Sequence, residues 1–313
     1  MADDFFRPSV WGTFLRGGRS CLRGEICTIV LAMPELAEVE TVCRVMRRAL
    51  QGKRIARVEV VKDNIFFSGV APKSLESALL RRSVREVGRH GKFFWLTLDG
   101  TGPTVYGHLG MSGWIRAIGK RGTRLHGHGD APFDDEAGRP RFLKLGLYTQ
   151  DGSGIVLTDP RRLGRIWLGS SPDTERRVKR LGRDAFDDLP SISELGALFA
   201  RRKIPIKAVL LDQGALAGIG NWIADEVLYQ SRIAPKRIAA SLTTAEITEL
   251  RRSIRSVLAR AVKVEADHRR FPKSWLFEHR WGGTRGAAQI AGEAIKREEV
   301  GGRTTAWVPT RQK

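Results

Sequence analysis

The chain has 313 residues, 42% hydrophobic and 28% charged, a balance that predicts a globular protein with room for two modest domains. Its net charge of +20 and pI of about 10.7 are unusual, and the basic residues are spread along the chain. Such a surface favours a polyanionic partner, because neutralised phosphates release counterions and drive association. Charge alone leaves a ribosome-associated protein or a generally basic proteome open as explanations.

The three cysteines, Cys21, Cys27 and Cys43, all lie near the start of the sequence. Their number and spacing fit neither a disulfide framework nor a zinc site, so we expect a reducing, intracellular setting. No apolar run approaches the length of a membrane span, so no membrane partner is expected.

Residues 1–32 are basic and rich in glycine and arginine. They are interpreted as a disordered leader, a targeting segment or an upstream start that is not used. From Glu35 the pattern becomes helical, and Gly52 is expected to close the helix. The apolar residues of this helix recur at three- and four-residue spacing: Leu36, Val39, Val42, Cys43, Met46 and Leu50.

Alternating segments between residues 54 and 169, punctuated by glycine, proline and Asp-Gly, predict an antiparallel sheet. The polar insert at 119–139 is predicted to be a mobile loop. Its side chains of His126, His128 and Asp130 are of metal-ligating types, but a solvated loop is the favoured interpretation.

Beyond Asp173 the helical pattern returns, and residues 287–308 again have the pattern of strands, with a turn at Gly301-Gly302. The predicted order is one helix, a sheet domain, a helical domain and a terminal hairpin. The predicted fold class is therefore α+β.

The stretch "AMPELAEVETV" places Pro34 and Glu35 at the mouth of the first helix. Inside a chain a proline nitrogen is a tertiary amide, but at a free N-terminus it is a secondary amine, and α-amino groups have pKa values of about 7.7–8.0. Such an amine condenses with a sugar aldehyde carbon to an iminium, with Glu35 as general acid. On this stretch alone a simpler interpretation is preferred: a proline in the first helical turn, with Glu35 and Glu38 favouring the positive helix end.

In "DQGALAGIGNWIADEVL", Gly218 and Gly220 allow tight turns, and Asn221 is placed to cap the helix that follows. A glycine-rich turn that opens into a helix presents unpaired amides that bind a phosphate, and Lys207 lies on the preceding helix. A routine connection between two helices is the simpler interpretation.

In "DPRRLGRIW", the Asp-Pro turn projects Arg161 and Arg162 beside apolar Leu163, which suits a wedge that enters a base stack. "HLGMSG" offers His108 and Met111 for the same purpose. For each stretch alone, a strand end with a solvated arginine or a core methionine is the preferred interpretation.

Arg303 follows a Gly-Gly turn in "GGRTTAWVP", so its guanidinium is expected to project from a hairpin tip. A fork of donors at a tip can clamp a phosphate. An ordinary exposed turn arginine is the simpler interpretation.

Six stretches in order resemble the Fpg/Nei family of DNA glycosylases, and within it the formamidopyrimidine-DNA glycosylases most closely. Each motif is weak alone, but six in register argue against chance. The resemblance covers nearly everything from Met33 to the end. The stretches are "MPELAEVETV", "GRHGKFFWLTL", "HLGMSG", "DPRRLG", "IKAVLLDQGALAGIGNWIADEVLY" and "GGRTTAWVP".

The resemblance implies a β-sandwich with a leading helix at 33–172, a helix-two-turns-helix DNA-binding domain at 173–272 and a zinc-less hairpin finger at 273–313. Residues 1–32 would be a non-native or disordered leader. It also implies a bifunctional glycosylase and lyase of base excision repair. Such an enzyme removes oxidised purines, 8-oxoguanine and formamidopyrimidines among them, and cuts the strand by β,δ-elimination. The implied partner is double-stranded DNA with oxidised bases or abasic sites.

By position, the resemblance makes Pro34 the Schiff-base nucleophile, Glu35 the proton donor that opens the sugar and Glu38 a supporting carboxylate. Lys92 would contact phosphate and donate a proton in the β-elimination, and Arg303 would bind phosphate and support the δ-elimination.

The resemblance also assigns the contacts with DNA. The residues that would grip the duplex are His108, Arg161, Arg162, Arg202, Lys207, Gly220 and Asn221. The residues that would fill the gap left by the flipped nucleotide are Met111, Arg161 and Leu163.

Three departures from the family pattern matter. No cysteine follows Cys43, so a four-cysteine zinc finger is absent and no cofactor is expected. Ala37 replaces the second proline of the commoner "PELPEVE", and Leu163 takes the place of a frequent phenylalanine, which leaves the lesion preference open. The hairpin is expected to pack on apolar side chains instead of zinc: Trp281, Ile290, Ile295, Val300, Trp307 and Val308.

Two alternatives stay open, an Nei-type glycosylase for oxidised pyrimidines and a non-catalytic damaged-DNA-binding protein. The retained Pro-Glu pair, Lys92 and Arg303 favour the enzyme. Because an active member needs a free amine at Pro34, we expect the functional chain to begin there, with Met33 as the true start. We also expect a monomer that is intracellular and associated with DNA, in the cytoplasm and nucleoid of a bacterium or in the nucleus or an organelle of a eukaryote.

Overall fold

The structure, a computed structural model, describes residues 34–120, 134–280 and 288–313. Several predictions lie outside these ranges: the leader at 1–32, the possible metal ligands His126, His128 and Asp130, and the packing residue Trp281.

The first helix, α1, spans Leu36–Leu50 as the apolar spacing predicts. Every apolar residue of the predicted stripe is buried, and the chain leaves the helix through Gln51 and then Gly52, whose φ of +77° suits glycine. Leu36 and Ala37 belong to the core of the helical region, whereas the stripe from Val39 onward belongs to the core of the sheet region. The start of α1 therefore lies where the two cores meet.

Two four-stranded antiparallel sheets share the core that α1 enters, which confirms the predicted antiparallel arrangement. One sheet has the order β1-β6-β7-β5 and the other the order β2-β3-β4-β8. The strands are β1 (Ile55–Val60), β2 (Val84–His90), β3 (Phe93–Leu98), β4 (Thr104–His108), β5 (Trp114–Ala117), β6 (Leu143–Thr149), β7 (Gly154–Thr158) and β8 (Arg165–Gly169).

A helix within the sheet region, α2 (Pro72–Leu79), has no counterpart among the predictions. It is only eight residues long, so its periodicity is too short to stand out, and Pro72 at its start reads as a break. Leu75 and Leu79 are fully buried in the sandwich core, so tertiary packing stabilises it.

The region beyond Asp173 is helical, as predicted. Ser191 and Thr243 cap α4 and α7 in capping boxes with the glutamates three residues later. The helices are α3 (Arg176–Lys179), α4 (Ile192–Ala200), α5 (Ile206–Leu211), α6 (Asn221–Gln230), α7 (Thr244–Lys263) and α8 (Leu276–His279), with a parallel pair of short strands, β9 (Arg183–Asp184) and β10 (Leu216–Ala217).

The chain ends in two small antiparallel hairpins, where the sequence predicted a single terminal hairpin. Gly301 and Gly302, both with positive φ, form the two-residue turn of the second. The predicted packing residues Ile290, Ile295, Val300 and Val308 are buried and Trp307 is half-buried. The strands are β11 (Gln289–Ile290), β12 (Glu293–Ala294), β13 (Lys296–Val300) and β14 (Arg303–Trp307).

The architecture is therefore α+β, with a leading helix, a β-sandwich, a helical region and terminal hairpins. Among the described residues, no helix is both long and apolar enough to cross a membrane.

Candidate active site

The side chain of Glu35 lies between the starts of α1 and α6. Its carboxylate accepts hydrogen bonds from the backbone amides of Gly220 (2.9 Å), Trp222 (2.8 Å) and Ile223 (3.1 Å). A side chain at Gly220 would collide with this carboxylate, so only glycine permits the approach. Burial raises the pKa of Glu35, and the charge of Lys92 and the amides of Trp222 and Ile223 offset only part of that rise. A buried carboxyl with a raised pKa is suited to act as a proton donor.

This geometry corrects the predictions for the glycine-rich turn. The amides expected to bind a phosphate are occupied by Glu35, so Gly220 serves the protein's own carboxylate rather than DNA. Asn221 does not cap α6, because Gly220 is the N-cap residue. The Asn221 side chain instead donates to the carbonyl of Thr304 at 3.0 Å, which ties the helix to the terminal hairpin.

Glu38 lies in the first turn of α1 and faces the same buried space. Its carboxylate accepts from the Glu35 amide (3.1 Å) and from the indole N–H of Trp222 (3.1 Å). Burial, followed by repulsion from Glu35, raises the pKa of Glu38 to about 8. The two carboxyl groups therefore retain at least one proton at neutral pH.

Pro34 is buried and lies one residue before Glu35, the N-cap residue of α1. It is thus outside the first helical turn, which removes the simpler interpretation of a helix-opening proline. In this chain its nitrogen is a tertiary amide, because Met33 precedes it.

Lys92 lies in the β2–β3 turn, where Gly91, with a φ of +56°, lets the turn pack closely on β10. Its side chain is buried, and burial lowers the pKa of its ammonium. Glu35 and Glu38 partly restore that pKa, and Arg303 lowers it further. The structure therefore brings four predicted catalytic and supporting side chains into one electrostatic unit.

Arg303 begins β14 directly after the glycine turn and is exposed, as predicted for a hairpin tip. A Cβ on Gly301 would lie 3.0 Å from the Ala208 side chain, so the tip packs tightly on α5. Arg303 is close enough to Lys92 for its charge to lower the pKa of that ammonium, so the hairpin tip lies near the β2–β3 turn.

His108 ends β4, and its Nδ1 accepts a hydrogen bond from the Gly110 amide at 3.0 Å. Burial first, and then the charges of Lys92 and Arg165, lower its pKa to about 3. The imidazole is therefore neutral near pH 7, and it can meet a phosphate only through its Nε2–H group, not as a cation.

Lys207 is buried, which does not fit its predicted grip on the DNA backbone. Its ammonium lies 2.6 Å from the Asp225 carboxylate and 2.6 Å from the Thr305 hydroxyl, and its side chain has no exposed surface. The same carboxylate pairs with Arg280 (2.5 Å) and accepts from the Ala306 amide (3.1 Å). Lys207 and Asp225 therefore join α5 and α6 to β14, the strand that carries Arg303.

Two other arginines predicted to bind DNA are paired within the protein. Arg162 holds Asp63 bidentately at 2.8 and 2.9 Å, and Arg202 lies 3.1 Å from Asp212. A phosphate would have to replace a carboxylate at either position. Arg161 is exposed, and it donates to a backbone carbonyl rather than to a carboxylate.

The three predicted void-filling residues lie on two loops that pack together. A side chain on Gly110 would collide with the Leu163 carbonyl, so the loop after β4 touches the loop before β8 directly. The Arg161 guanidinium donates to the Met111 carbonyl at 2.7 Å. Arg161 is exposed, and Met111 and Leu163 are half-buried, so Met111 is not a core methionine.

Asp159, which the sequence did not identify as functional, organises these two loops, which we call the wedge loops (residues 109–113 and 159–164). Its fully buried carboxylate accepts from the amides of Arg161 (3.1 Å), Arg162 (3.1 Å) and Gly164 (2.7 Å) and from the Ser112 hydroxyl. The Asp-Pro pair is a sequence signal for such a turn, since Asp side chains commonly accept from amides two residues on.

A buried ion cluster around Arg89 was also missed. Its guanidinium binds Asp184 bidentately (2.6 and 3.1 Å) and contacts Glu40 (3.2 Å) and Asp187. The cluster joins α1, β2 and the β9 segment behind Lys92. Nothing in "VREVGRHG" distinguishes Arg89 from exposed basic residues.

Within residues 34–120, 134–280 and 288–313, no group of three or more His, Cys, Asp or Glu side chains is arranged to hold a metal. Cys43 is a free, buried cysteine of α1.

Two protein-family models match this chain. Residues 33–166 match the N-terminal domain of formamidopyrimidine-DNA glycosylase, and residues 181–273 match the formamidopyrimidine-DNA glycosylase H2TH domain.

Curated relatives carry the same name. A formamidopyrimidine-DNA glycosylase of Arabidopsis thaliana is 38% identical over 90% of this chain and 71% of its own length. One from Gluconobacter oxydans is 36% identical over 74% of this chain and 78% of its own length. Among solved structures, a complex between the Lactococcus lactis enzyme and DNA containing an abasic site superposes with a TM-score of 0.72. It is 24% identical, and the match covers 90% of this chain and all of that one.

The sandwich, the helical domain and the buried acid at their junction, together with these relatives, define a DNA glycosylase of base excision repair. The chain belongs to the formamidopyrimidine-DNA glycosylase family.

Proposed function

We propose that the protein is a bifunctional glycosylase and abasic-site lyase that uses Pro34 as its nucleophile and acts on oxidised purines in duplex DNA. One observation carries the proposal: next to Pro34, the carboxyl group of Glu35 is buried and has a raised pKa, with Lys92 close enough to shift it. A DNA-binding protein without catalysis has no need for a water-poor acid beside a potential amine.

The chemistry requires Pro34 to carry a free amine. Its nitrogen lone pair then attacks C1′ of the damaged nucleotide, and the glycosidic bond breaks as the base leaves with the bonding electrons. Glu35 protonates the ring oxygen, which opens the sugar and leaves an iminium between C1′ and the proline nitrogen. The family model begins at residue 33, which supports Met33 as the start and Pro34 as the first residue after methionine removal.

The iminium acts as an electron sink for the strand cuts. Loss of a proton from C2′ expels the 3′-phosphate, and a second elimination expels the 5′-phosphate. Lys92, whose pKa is lowered, is the proposed proton donor for the first elimination, and Arg303 at the hairpin tip is the proposed phosphate clamp for the second.

Double-stranded DNA is the proposed partner, bound by a monomer inside the cell, with the apolar-packed hairpin in place of a zinc finger. The net charge of +20 and the exposed Arg161 and Arg303 support this. His108 contributes a neutral donor, and Arg162 and Arg202 contribute if phosphates replace their carboxylate partners.

Two forms of the chain test the proposal, one that begins at Pro34 and one that retains residues 1–33. Each is incubated with duplexes that carry a single 8-oxoguanine, a formamidopyrimidine or, as a third arm, an oxidised pyrimidine. We expect the form that begins at Pro34 to excise the purine lesions and cut the strand, and the longer form to be inactive. Faster excision of the oxidised pyrimidine than of the purine lesions would identify the protein as a glycosylase of the Nei type. Activity of the longer form with its leader intact would rule out Pro34 as the nucleophile.

A further inference from the structure

Three exposed apolar side chains lie at the end of the sandwich that carries the wedge loops. These side chains are Val61, Ile65 and Phe142, and they are three of the six large apolar side chains that are exposed among the described residues. The Phe142 carbonyl accepts from the Asp159 amide at 3.0 Å, and the Val61 amide donates to the Lys144 carbonyl at 3.0 Å. These contacts place Phe142 and Val61 at the start of β6, next to the loop of Arg161 and Leu163. Ile65 lies nearby, because its amide donates to Asp63 at 3.2 Å and Asp63 pairs with Lys144 and Arg162.

Phe142 has a φ of +59°, a left-handed conformation that bulky side chains rarely adopt. Arg162, on the other side of Asp159, has the same φ. Asp159 holds both, because its amide binds the Phe142 carbonyl and its carboxylate accepts the Arg162 amide. Backbone held in this region is typical of binding sites, where the surrounding structure enforces it.

The surroundings of Phe142 are basic. The Arg141 guanidinium lies 5.6 Å from the centre of the Phe142 ring, and the exposed Arg161 belongs to the same end of the sandwich. Lys144 and Arg162 also lie there and share the Asp63 carboxylate as their partner. An exposed aromatic ring among cations is the composition of surfaces that stack nucleobases and hold phosphates. Neither wedge loop contains an aromatic residue of its own.

We propose that Phe142 is a specificity-determining residue that stacks on an unpaired base of the bound duplex, the base left without a partner when a nucleotide is extruded. The inference rests on the proposed function, because it requires the wedge loops to enter DNA. Arg161, Met111 and Leu163 fill the gap, but none of them offers an aromatic face. Phe142, one hydrogen bond away from the wedge loop, supplies that face.

The test uses the form that begins at Pro34 and a duplex with a stable tetrahydrofuran abasic analogue opposite 2-aminopurine, whose fluorescence falls on stacking. The variants are Phe142→Ala, Phe142→Tyr, which keeps an aromatic face, and Ile192→Ala, which removes an exposed apolar side chain from α4 as a control. We expect Phe142→Ala to lose the quenching and to bind this duplex about fivefold more weakly or worse, since stacking on aromatic side chains contributes that much per base. Phe142→Tyr and Ile192→Ala should behave as wild type.

If the wild type binds the abasic duplex tightly and Phe142→Ala shows the same quenching and the same affinity, this inference is wrong and the proposed function stands. Failure of the wild type to prefer the abasic duplex over undamaged DNA would overturn the proposed function, and this inference with it.

Discussion

Two opposing effects act on the Glu35 carboxyl group. Burial favours the protonated form, whereas three amide donors from α6 stabilise the carboxylate that remains after transfer. Both effects suit the proposed role of Glu35 as the proton donor to the sugar oxygen, because the carboxylate that this role would leave is already hydrogen-bonded. Glu38, with a pKa of about 8, supplies a second proton to the pair.

Glu35→Gln, in the form that begins at Pro34, should separate the two halves of the reaction. Because the ring oxygen loses its proton donor, excision of an oxidised purine should slow by about a hundredfold or more. Borohydride trapping on a preformed abasic site should fall far less, since that sugar exists partly as an open aldehyde. Single-turnover excision and trapping measure the two effects. Equal losses in both assays would show that Glu35 acts through the fold rather than as an acid.

His108 should stay neutral across the physiological range. Its pKa is lowered from 6.5 to about 3, so the folded protein binds no proton there while the unfolded chain does. Its contribution to stability is therefore present above pH 6.5 and is lost as pH falls from 6.5 towards 3. Imidazole chemical shifts should show no titration of His108 between pH 8 and 5. A transition near pH 6.5 would contradict the half-buried, cation-flanked position of His108.

The terminal hairpin is the element that most depends on buried charge. The Asp225 carboxylate contacts the cations of Lys207 and Arg280 and the backbone of β14, while Ile290, Ile295 and Val308 cover the hairpin on its apolar side. This attachment positions Arg303 through ion pairs, a backbone hydrogen bond and apolar packing.

Asp225→Asn should destabilise the protein strongly, because it leaves two buried cations underpaired. Breaking a buried pair costs about 3–5 kcal/mol, so the free energy of unfolding should fall by about that amount and the β14 amides should exchange faster with solvent. Lys236→Ala removes an exposed ion pair with Glu298 on the same hairpin and should cost less than about 1 kcal/mol. Similar losses of unfolding free energy in both variants would show that the buried Asp225 carboxylate does not stabilise the hairpin more than an exposed ion pair does.

The elements themselves were largely predictable from the sequence. Helical spacing predicts α1, α4, α6 and α7, and alternation predicts the strands of both sheets, because these signals are local. The contacts of the site were not predictable in the same way. The sequence predicts Asn221 as a local cap, yet the Gly220 amide at the start of α6 donates to Glu35, 185 residues earlier. Lys207 has the pattern of a surface lysine, and only the structure reveals its buried partner Asp225. Side chains that pair across the fold but lie far apart in the sequence produce no periodic pattern from which a single sequence could predict them.

At the scale of the whole molecule, the net charge of +20 predicts binding that weakens steeply with salt. The logarithm of the affinity for a lesion duplex should fall linearly with the logarithm of salt concentration, with a slope of about 0.9 per phosphate neutralised. Arg303→Gln should reduce that slope by about one. Arg252→Gln, whose charge is balanced by Glu249 on α7, should leave it unchanged. Equal slopes for the wild type and Arg303→Gln would show that Arg303 does not contact a phosphate.

The sequence also predicted the α+β architecture and the exposed arginine at the hairpin tip, whereas the catalytic site at the start of α1 stays a prediction. It did not reveal Asp159, Arg89 or the strained Phe142, because each depends on tertiary neighbours that no short motif records. Asp159 and Arg89 lie within the stretches "DPRRLG" and "GRHGKFFWLTL", but partners of their side chains, Ser112 and Asp184, lie elsewhere in the sequence.

The proposed mechanism requires a free Pro34 amine to form the covalent bond to DNA. The most direct measurement is borohydride trapping on a lesion duplex with the form that begins at Pro34, followed by digestion and mass spectrometry of the cross-linked peptide. We predict that the adduct lies on the N-terminal peptide, at Pro34, and that the form retaining residues 1–33 yields no adduct. An adduct on an internal lysine such as Lys92, or trapping by the longer form with its leader intact, would contradict the account.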